Sequence, residues 1–147
     1  MSFPTLRVRA LVEKEGHLLL AQLAERRVAF LPGGRVASEE TLEFALQREL
    51  IEETGSSAAV LTYMGAIEHI WEEDGRVKHD LSHFFYAEGP GWSTSHVPVC
   101  NDEGVTMFWA PLSELSALPI QPSIQKKFIE RFFQGDRSPW WATVRDV

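Results

Sequence analysis

The chain has 147 residues, 44% hydrophobic and 24% charged, and a net charge of −7 from 14 Lys plus Arg against 21 Asp plus Glu. That length predicts one domain over 1–147, burying roughly 70% of its unfolded surface. The acidic balance argues against a nucleic-acid polymer as partner, which calls for a basic face. No apolar run approaches the roughly 20 residues of a membrane span, and the opening MSFPTLRVRA lacks the apolar core of a signal peptide. The single cysteine, Cys100, cannot form an internal disulfide, so the expected location is the cytoplasm and no membrane partner is expected.

Leu6 to Val12 and His17 to Leu23 read as two strands around a turn at Gly16. A loop follows through Arg26 and Arg27 to Leu31-Pro32-Gly33-Gly34. Thr41 to Thr54 reads as a helix, with Thr41 as its N-cap and Gly55 just past its end. Val60 to Trp71 and Val77 to Glu88 read as strands joined by Glu72-Glu73-Asp74-Gly75-Arg76. In the second strand both alternating sets mix polar and apolar residues, so period two leaves the inner face open. Gly89 to Gly104 is rich in Gly, Pro, Ser and Asn and reads as a long loop, a kind often functional in compact domains. Val105 to Ala110 is a further strand and Pro122 to Phe133 a terminal helix, before an aromatic tail with Trp140 and Trp141. There is no internal repeat.

The helix over 41–54 concentrates charge. On a wheel of about 100° per residue with Leu42 at zero, Glu43, Gln47 and Thr54 fall at about 100° to 140°, which is expected to be the solvent arc. Glu49, Glu52 and Glu53 fall elsewhere, with Leu42, Ala45 and Leu46. Like charges at i,i+3 and i,i+4 repel. Carboxylates near a helix C-terminus also oppose the macrodipole, and burial adds to the cost. Arg48 neutralises one of the three. A divalent cation neutralises more, and Mg²⁺ takes hard oxygen ligands of this kind.

From Gly34 to Ser56 the chain reads Gly34, five residues, Glu40, seven residues, Arg48-Glu49-Leu50, one residue, Glu52-Glu53, one residue, Gly55. This resembles the Nudix box, and Leu31-Pro32-Gly33 before it resembles family usage. The box covers about one-sixth of the chain. Three positions depart from it: Ser56 where an apolar residue is usual, Ala37 where many members have a further glutamate, and Glu39 where glycine is frequent. None removes a core acidic residue.

The resemblance implies an α/β fold, a Nudix-type α/β/α sandwich with a mixed β-sheet. It implies a Mg²⁺-dependent hydrolase, Mn²⁺ being a substitute, that cuts a diphosphate bond in a small nucleotide-like substrate, a nucleoside diphosphate derivative of the nucleotide or nucleotide-sugar class. Glu49, Glu52, Glu53 and the Gly33 carbonyl are then the metal-ligand candidates, with Gly34 shaping the loop. Glu40 and Arg48 support them, Arg48 orienting the glutamates by charge-assisted hydrogen bonds. The general base is Glu52 or Glu103, the latter just before the Val105 strand. Arg35 and Arg27, with Arg26, flank the glycine loop and are candidates for binding phosphate. The alternative is a non-catalytic nucleotide-binding or regulatory domain on the same fold.

Other residues carry less. His79 and His83 would lie about 13 Å apart on a strand, too far for one zinc ion. Trp71, Trp92, Trp140 and Trp141 offer faces for a base, for the core or for a homodimer. Cys100 has no catalytic partner. Neither the substrate nor the oligomeric state is fixed by these residues.

Overall fold

The computed structural model describes residues 3–147. In chain order the elements are β1 (Thr5–Leu11), β2 (Glu13–Lys14), β3 (His17–Leu23), β4 (Ala29–Phe30), β5 (Gly33–Arg35), α1 (Leu42–Thr54), β6 (Val60–Glu73), β7 (Arg76–Glu88), β8 (Val105–Pro111), a 3₁₀ segment (Leu112–Ala117), α2 (Ile124–Phe133) and β9 (Trp140–Asp146).

Five strands form one sheet in the order β5-β1-β7-β6-β9. Its pairs β1–β7 and β6–β9 are parallel, whereas β1–β5 and β6–β7 are antiparallel, so the sheet is mixed. The β6–β7 hairpin closes through Asp74 and Gly75, both at positive φ, as a tight hairpin turn matched to strand twist requires. A second, antiparallel sheet is built on β3, which pairs with β2, β4 and β8.

Alternation along β1 sorts the layers. Val8 and Ala10 pack with Ala45, Leu46 and Leu50 of α1, together with Phe85, Leu19 and Met107. Leu11 belongs to the other core, where Phe84, Ile67, Leu18 and Leu20 meet Phe128, Ile129 and Phe132 of α2. The sheets therefore lie between α1 and α2, and the expected α/β/α sandwich with a mixed sheet is the observed fold. Neighbours Phe84 and Phe85 are buried on opposite sides. A strand covered on both faces loses the clean alternation of a half-exposed one, which is why period two did not choose a face for β7. Each fully buried leucine or isoleucine contributes about 1.5–3 kcal/mol, and Leu46→Ala would cost about 2–5 kcal/mol.

Helix α1 starts and stops as its sequence dictates. Thr41 Oγ1 accepts the Phe44 N–H at 3.1 Å, and Gly55, at φ 80°, donates its N–H to Ile51 O at 2.9 Å. The expected solvent arc holds at Glu43, which is exposed, and is corrected at Gln47 and Thr54. Gln47 is held by both ends of its amide, Nε2 donating to Ala58 O at 2.9 Å and Oε1 accepting the Ala58 N–H at 2.8 Å. Thr54 Oγ1 accepts the indole N–H of buried Trp92 at 3.0 Å. The outward stripe instead carries Phe44, 62% exposed, and Ile51, 52% exposed. The wheel counted polarity alone, whereas Gln47 here bonds the Ala58 backbone and Thr54 the Trp92 indole while Phe44 and Ile51 face water.

Two further readings change. The loop over 24–41 contains β4 and β5, too short to leave a periodic signal. The aromatic tail is β9, paired with β6 from Gly65 opposite Trp140 to Trp71 opposite Asp146. Trp140 stacks on Phe128 with centroids 4.8 Å apart. No helix among the described residues is long and apolar enough to cross a membrane.

Candidate active site

The glycine loop meets α1 through backbone that tolerates no side chain. Strand β5 pairs with β1, placing Gly33 opposite Arg9 and Gly34 opposite Val8. A Cβ on Gly33, whose φ is 148°, would sit 2.0 Å from the Val8 carbonyl oxygen, and one on Gly34 would sit 2.5 Å from Glu49 Oε1. With that room the Gly33 N–H donates to Glu53 Oε2 at 2.9 Å. Glu39 keeps the left-handed conformation, at φ 67°, that glycine would adopt more cheaply.

Arg48 ties the acidic cluster together. Its Nε and Nη2 donate to the two oxygens of Glu40 at 2.7 and 2.8 Å, its Nη1 to Glu49 Oε1 at 3.0 Å, and its Nη2 also to Arg35 O at 3.1 Å. Glu52 Oε1 lies 3.6 Å from Nη1. The Ala37 N–H donates to Glu40 Oε1 at 2.7 Å. The Arg48 hydrogen bonds, aided by the Ala37 N–H, hold the Glu40 carboxyl down at about 2.

The inner carboxylates respond in the opposite direction. Glu53 is 8% exposed. Burial pushes its carboxyl up to about 7, against the opposing pull of the Gly33 N–H and Arg9, while Glu49 and Asp102 add repulsion. Burial likewise raises Glu49 despite Arg48. The Glu52 side chain is 52% exposed.

Glu53 forms part of the wall of a cavity of about 610 Å³ between the two sheets, bordered at one end by the start of α2. Arg7 and Arg9 project into it from β1, and β1 is where sequence reading did not look for cations. Arg9 donates to Leu31 O at 3.1 Å and lies over the Phe30 ring at 5.7 Å. Burial and Arg7 lower its pKa, and the Glu53 and Asp80 carboxylates oppose them. Arg7 Nε donates to Asp80 Oδ2 at 2.8 Å. His69 and Trp71, stacked with centroids 4.5 Å apart, form another part of the wall. The alternation Arg7-Val8-Arg9-Ala10 was the available signal: two arginines on one face of an otherwise apolar strand.

The expected phosphate arginines are placed elsewhere. Arg35 ends β5 on the exposed side and contributes its carbonyl to Arg48, not its guanidinium to the cavity. Arg27 borders a separate depression of about 350 Å³. Arg26 reaches the cavity but is paired with Glu73. All three were proposed from closeness in sequence to the glycines, and strands β4 and β5 separate Arg26 and Arg27 from Arg35. Glu103 is exposed. Its loop is tied to α1 where the Asn101 N–H donates to Glu52 O at 3.5 Å. His79 pairs with Glu68 at 2.8 Å, and His83 with the Tyr63 hydroxyl at 2.8 Å.

The donor set suits a hard divalent cation. Glu53 is buried and Glu49 half-buried, Arg48 is shared between Glu49 and Glu40 and does not bond Glu53, and Glu52 stands one turn along from Glu49. As positioned, no three such side chains among the described residues converge on a single point.

Comparison with known proteins gives the same outline. The family model described as NUDIX domain matches residues 3–132. A protein named MutT4 from Mycobacterium tuberculosis (strain CDC 1551 / Oshkosh) is 31% identical over 104 residues, covering 71% of this chain and 37% of that protein. The chain thus spans little more than a third of that relative. The CTP pyrophosphohydrolase of Escherichia coli (strain K12) is 32% identical over 120 residues, covering 79% of this chain and 82% of that protein. A MutT protein of Bacillus halodurans has a similar fold, with a TM-score of 0.75 and 18% identity over 96% of this chain and 89% of that one.

Proposed function

Because this chain belongs to the Nudix family, we propose that it is a Mg²⁺-dependent pyrophosphohydrolase, working as one domain over 1–147 on a nucleoside diphosphate derivative. The observation that carries this reading is the buried Glu53, held by the Gly33 N–H and sharing a cavity with Arg9. A desolvated carboxylate beside a cation, in a cleft sized for a nucleotide, suits a substrate whose phosphates arrive with a metal ion.

Glu49, Glu52 and Glu53, with the Gly33 carbonyl, would hold the ion. Bound there, Mg²⁺ or Mn²⁺ supplies charge neutralisation and orientation of the diphosphate. Arg48 keeps Glu49 in place and is itself fixed by Glu40. Arg9 offers its remaining N–H groups to a phosphate oxygen, and Arg7, tethered by Asp80, extends the positive strip. A water oxygen adds to one phosphorus, the bond from that phosphorus to the bridging oxygen breaks, and the leaving phosphate keeps the electron pair. Glu52 or Glu103 accepts the proton from water.

The test is a panel of nucleoside diphosphate derivatives and triphosphates assayed for phosphate and pyrophosphate release with and without Mg²⁺. Turnover that needs Mg²⁺ and falls by about 100-fold or more in Glu53→Gln supports the reading. Binding without turnover anywhere on the panel favours the non-catalytic alternative.

A further inference from the structure

Strand β9 ends the five-stranded sheet and, among the described residues, pairs with β6 alone. Its outer edge is open: outside that ladder no backbone hydrogen bond among the described residues involves positions 140–146. Proline, lysine and bulges commonly blunt such an edge. Trp140–Asp146 has none of them, and its seven residues run in unbroken register with β6. Its two charges come at its end, and Asp146 is turned back toward His69 Nε2, 3.0 Å away.

The two faces of β9 differ. Trp140, Ala142 and Val144 pack against the core beside α2. Trp141, Thr143 and Arg145 alternate with them on the opposite face and are exposed, Trp141 by 61%. Trp141 and Arg145 stand about 13 Å apart along the strand, so they do not meet within one chain. Among the described residues Arg145 takes part in no ion pair and no cation–π contact.

We infer that β9 is a dimerisation edge, taken by β9 of a second copy of this chain running antiparallel about a two-fold axis at Thr143. Trp141 of each copy then faces Arg145 of the other, and the guanidinium reaches an indole face that its own chain does not offer it. On the other face Ala142 meets Val144, apolar against apolar. The strand is thus complementary to itself reversed, whereas in-register parallel pairing would set Arg145 against Arg145. A strand of an unrelated chain supplies the backbone hydrogen bonds but not these paired side chains. The two-fold axis uses both open edges at once, so assembly stops at two copies.

The test reads mass, by sedimentation of the full chain across a dilution series. It needs neither substrate nor metal and stands apart from the hydrolase reading. Twice the 16.7 kDa chain mass is expected at the concentrated end. Trp141→Lys sets a lysine against Arg145 twice and is expected to weaken association by about tenfold or more. Adding Arg145→Glu to it makes both pairs attractive and is expected to recover the dimer. Oxidation reads the register. Thr143→Cys is expected to cross-link to its own counterpart at the axis, whereas Trp141→Cys is not, its counterpart lying about 13 Å away. Wild type, whose one cysteine is Cys100, controls for other cross-links. A monomer at every concentration overturns the inference, as does a dimer indifferent to Trp141→Lys, or cross-linking through Trp141→Cys in place of Thr143→Cys. If Trp141→Lys fails to fold, the cross-linking pair still decides.

Discussion

Arg48 grips both oxygens of Glu40, at 2.7 and 2.8 Å, while its third nitrogen reaches Glu49. The Glu40 carboxyl is lowered from 4.5 to about 2 on folding, so the native state binds fewer protons than the unfolded one through that window. Its contribution to stability is full above 4.5 and disappears as pH falls toward about 2. Glu40→Gln is expected to be less stable than wild type near neutral pH, with the difference shrinking on acidification. Urea melts across that range measure it, and a difference independent of pH would show that charge is not the cause.

Adjacent glycines are expected to fail differently. In Gly33→Ala the new Cβ meets backbone, the Val8 carbonyl, in a left-handed region, and the β1–β5 pairing must give way. We expect a loss of at least about 3 kcal/mol. In Gly34→Ala it meets only the end of the Glu49 side chain, which can swing aside. Stability should change by about 1 kcal/mol or less, while activity falls with the displaced carboxylate. Melting temperature and turnover measured on both variants check the contrast.

Mg²⁺ should raise the melting temperature, since a ligand of the native state alone stabilises it by mass action. Glu49→Ala and Glu53→Gln should each weaken that shift. A full shift in either variant would place the ion away from α1.

The base is separable by kinetics. The loop carrying Glu103 is anchored to α1 at Glu52 O, and its neighbour Asp102 repels the Glu53 carboxylate. Glu103→Gln is expected to lower kcat by about 100-fold or more with KM little changed, and to flatten the limb of the pH profile that reports the base. Wild-type behaviour would move the role to Glu52, where the same substitution should then produce it.

Much of the site was legible in the sequence because α1 is a long, locally determined element. Thr41, Gly55 and the spacing of Glu49, Glu52 and Glu53 are set within one helix, and its ends fell where the caps put them. The cavity was less legible because it is assembled across the sheet. Arg9 meets Gly33 only through strand pairing, and Asp80 meets Arg7 only because β1 runs parallel to β7. Gln47 misled the wheel because its partner, Ala58, lies beyond the helix in a turn that periodicity does not describe. Tertiary partners of this sort leave no local pattern.

Strand β9 has a consequence for how the protein is made. It leaves the ribosome well after β6, yet it covers the edge of β6 from Gly65 to Trp71, including His69 beside the cavity. Until it emerges, that edge offers bare N–H and C=O groups to any chain nearby, as exposed sheet edges do. A nascent protein, or one cut between α2 and β9, therefore completes α1 and its carboxylates while the β6 edge stays adhesive. Aggregation during overproduction should then begin at β6, and a fusion that delays β9 should worsen it while leaving the glycine loop and α1 intact.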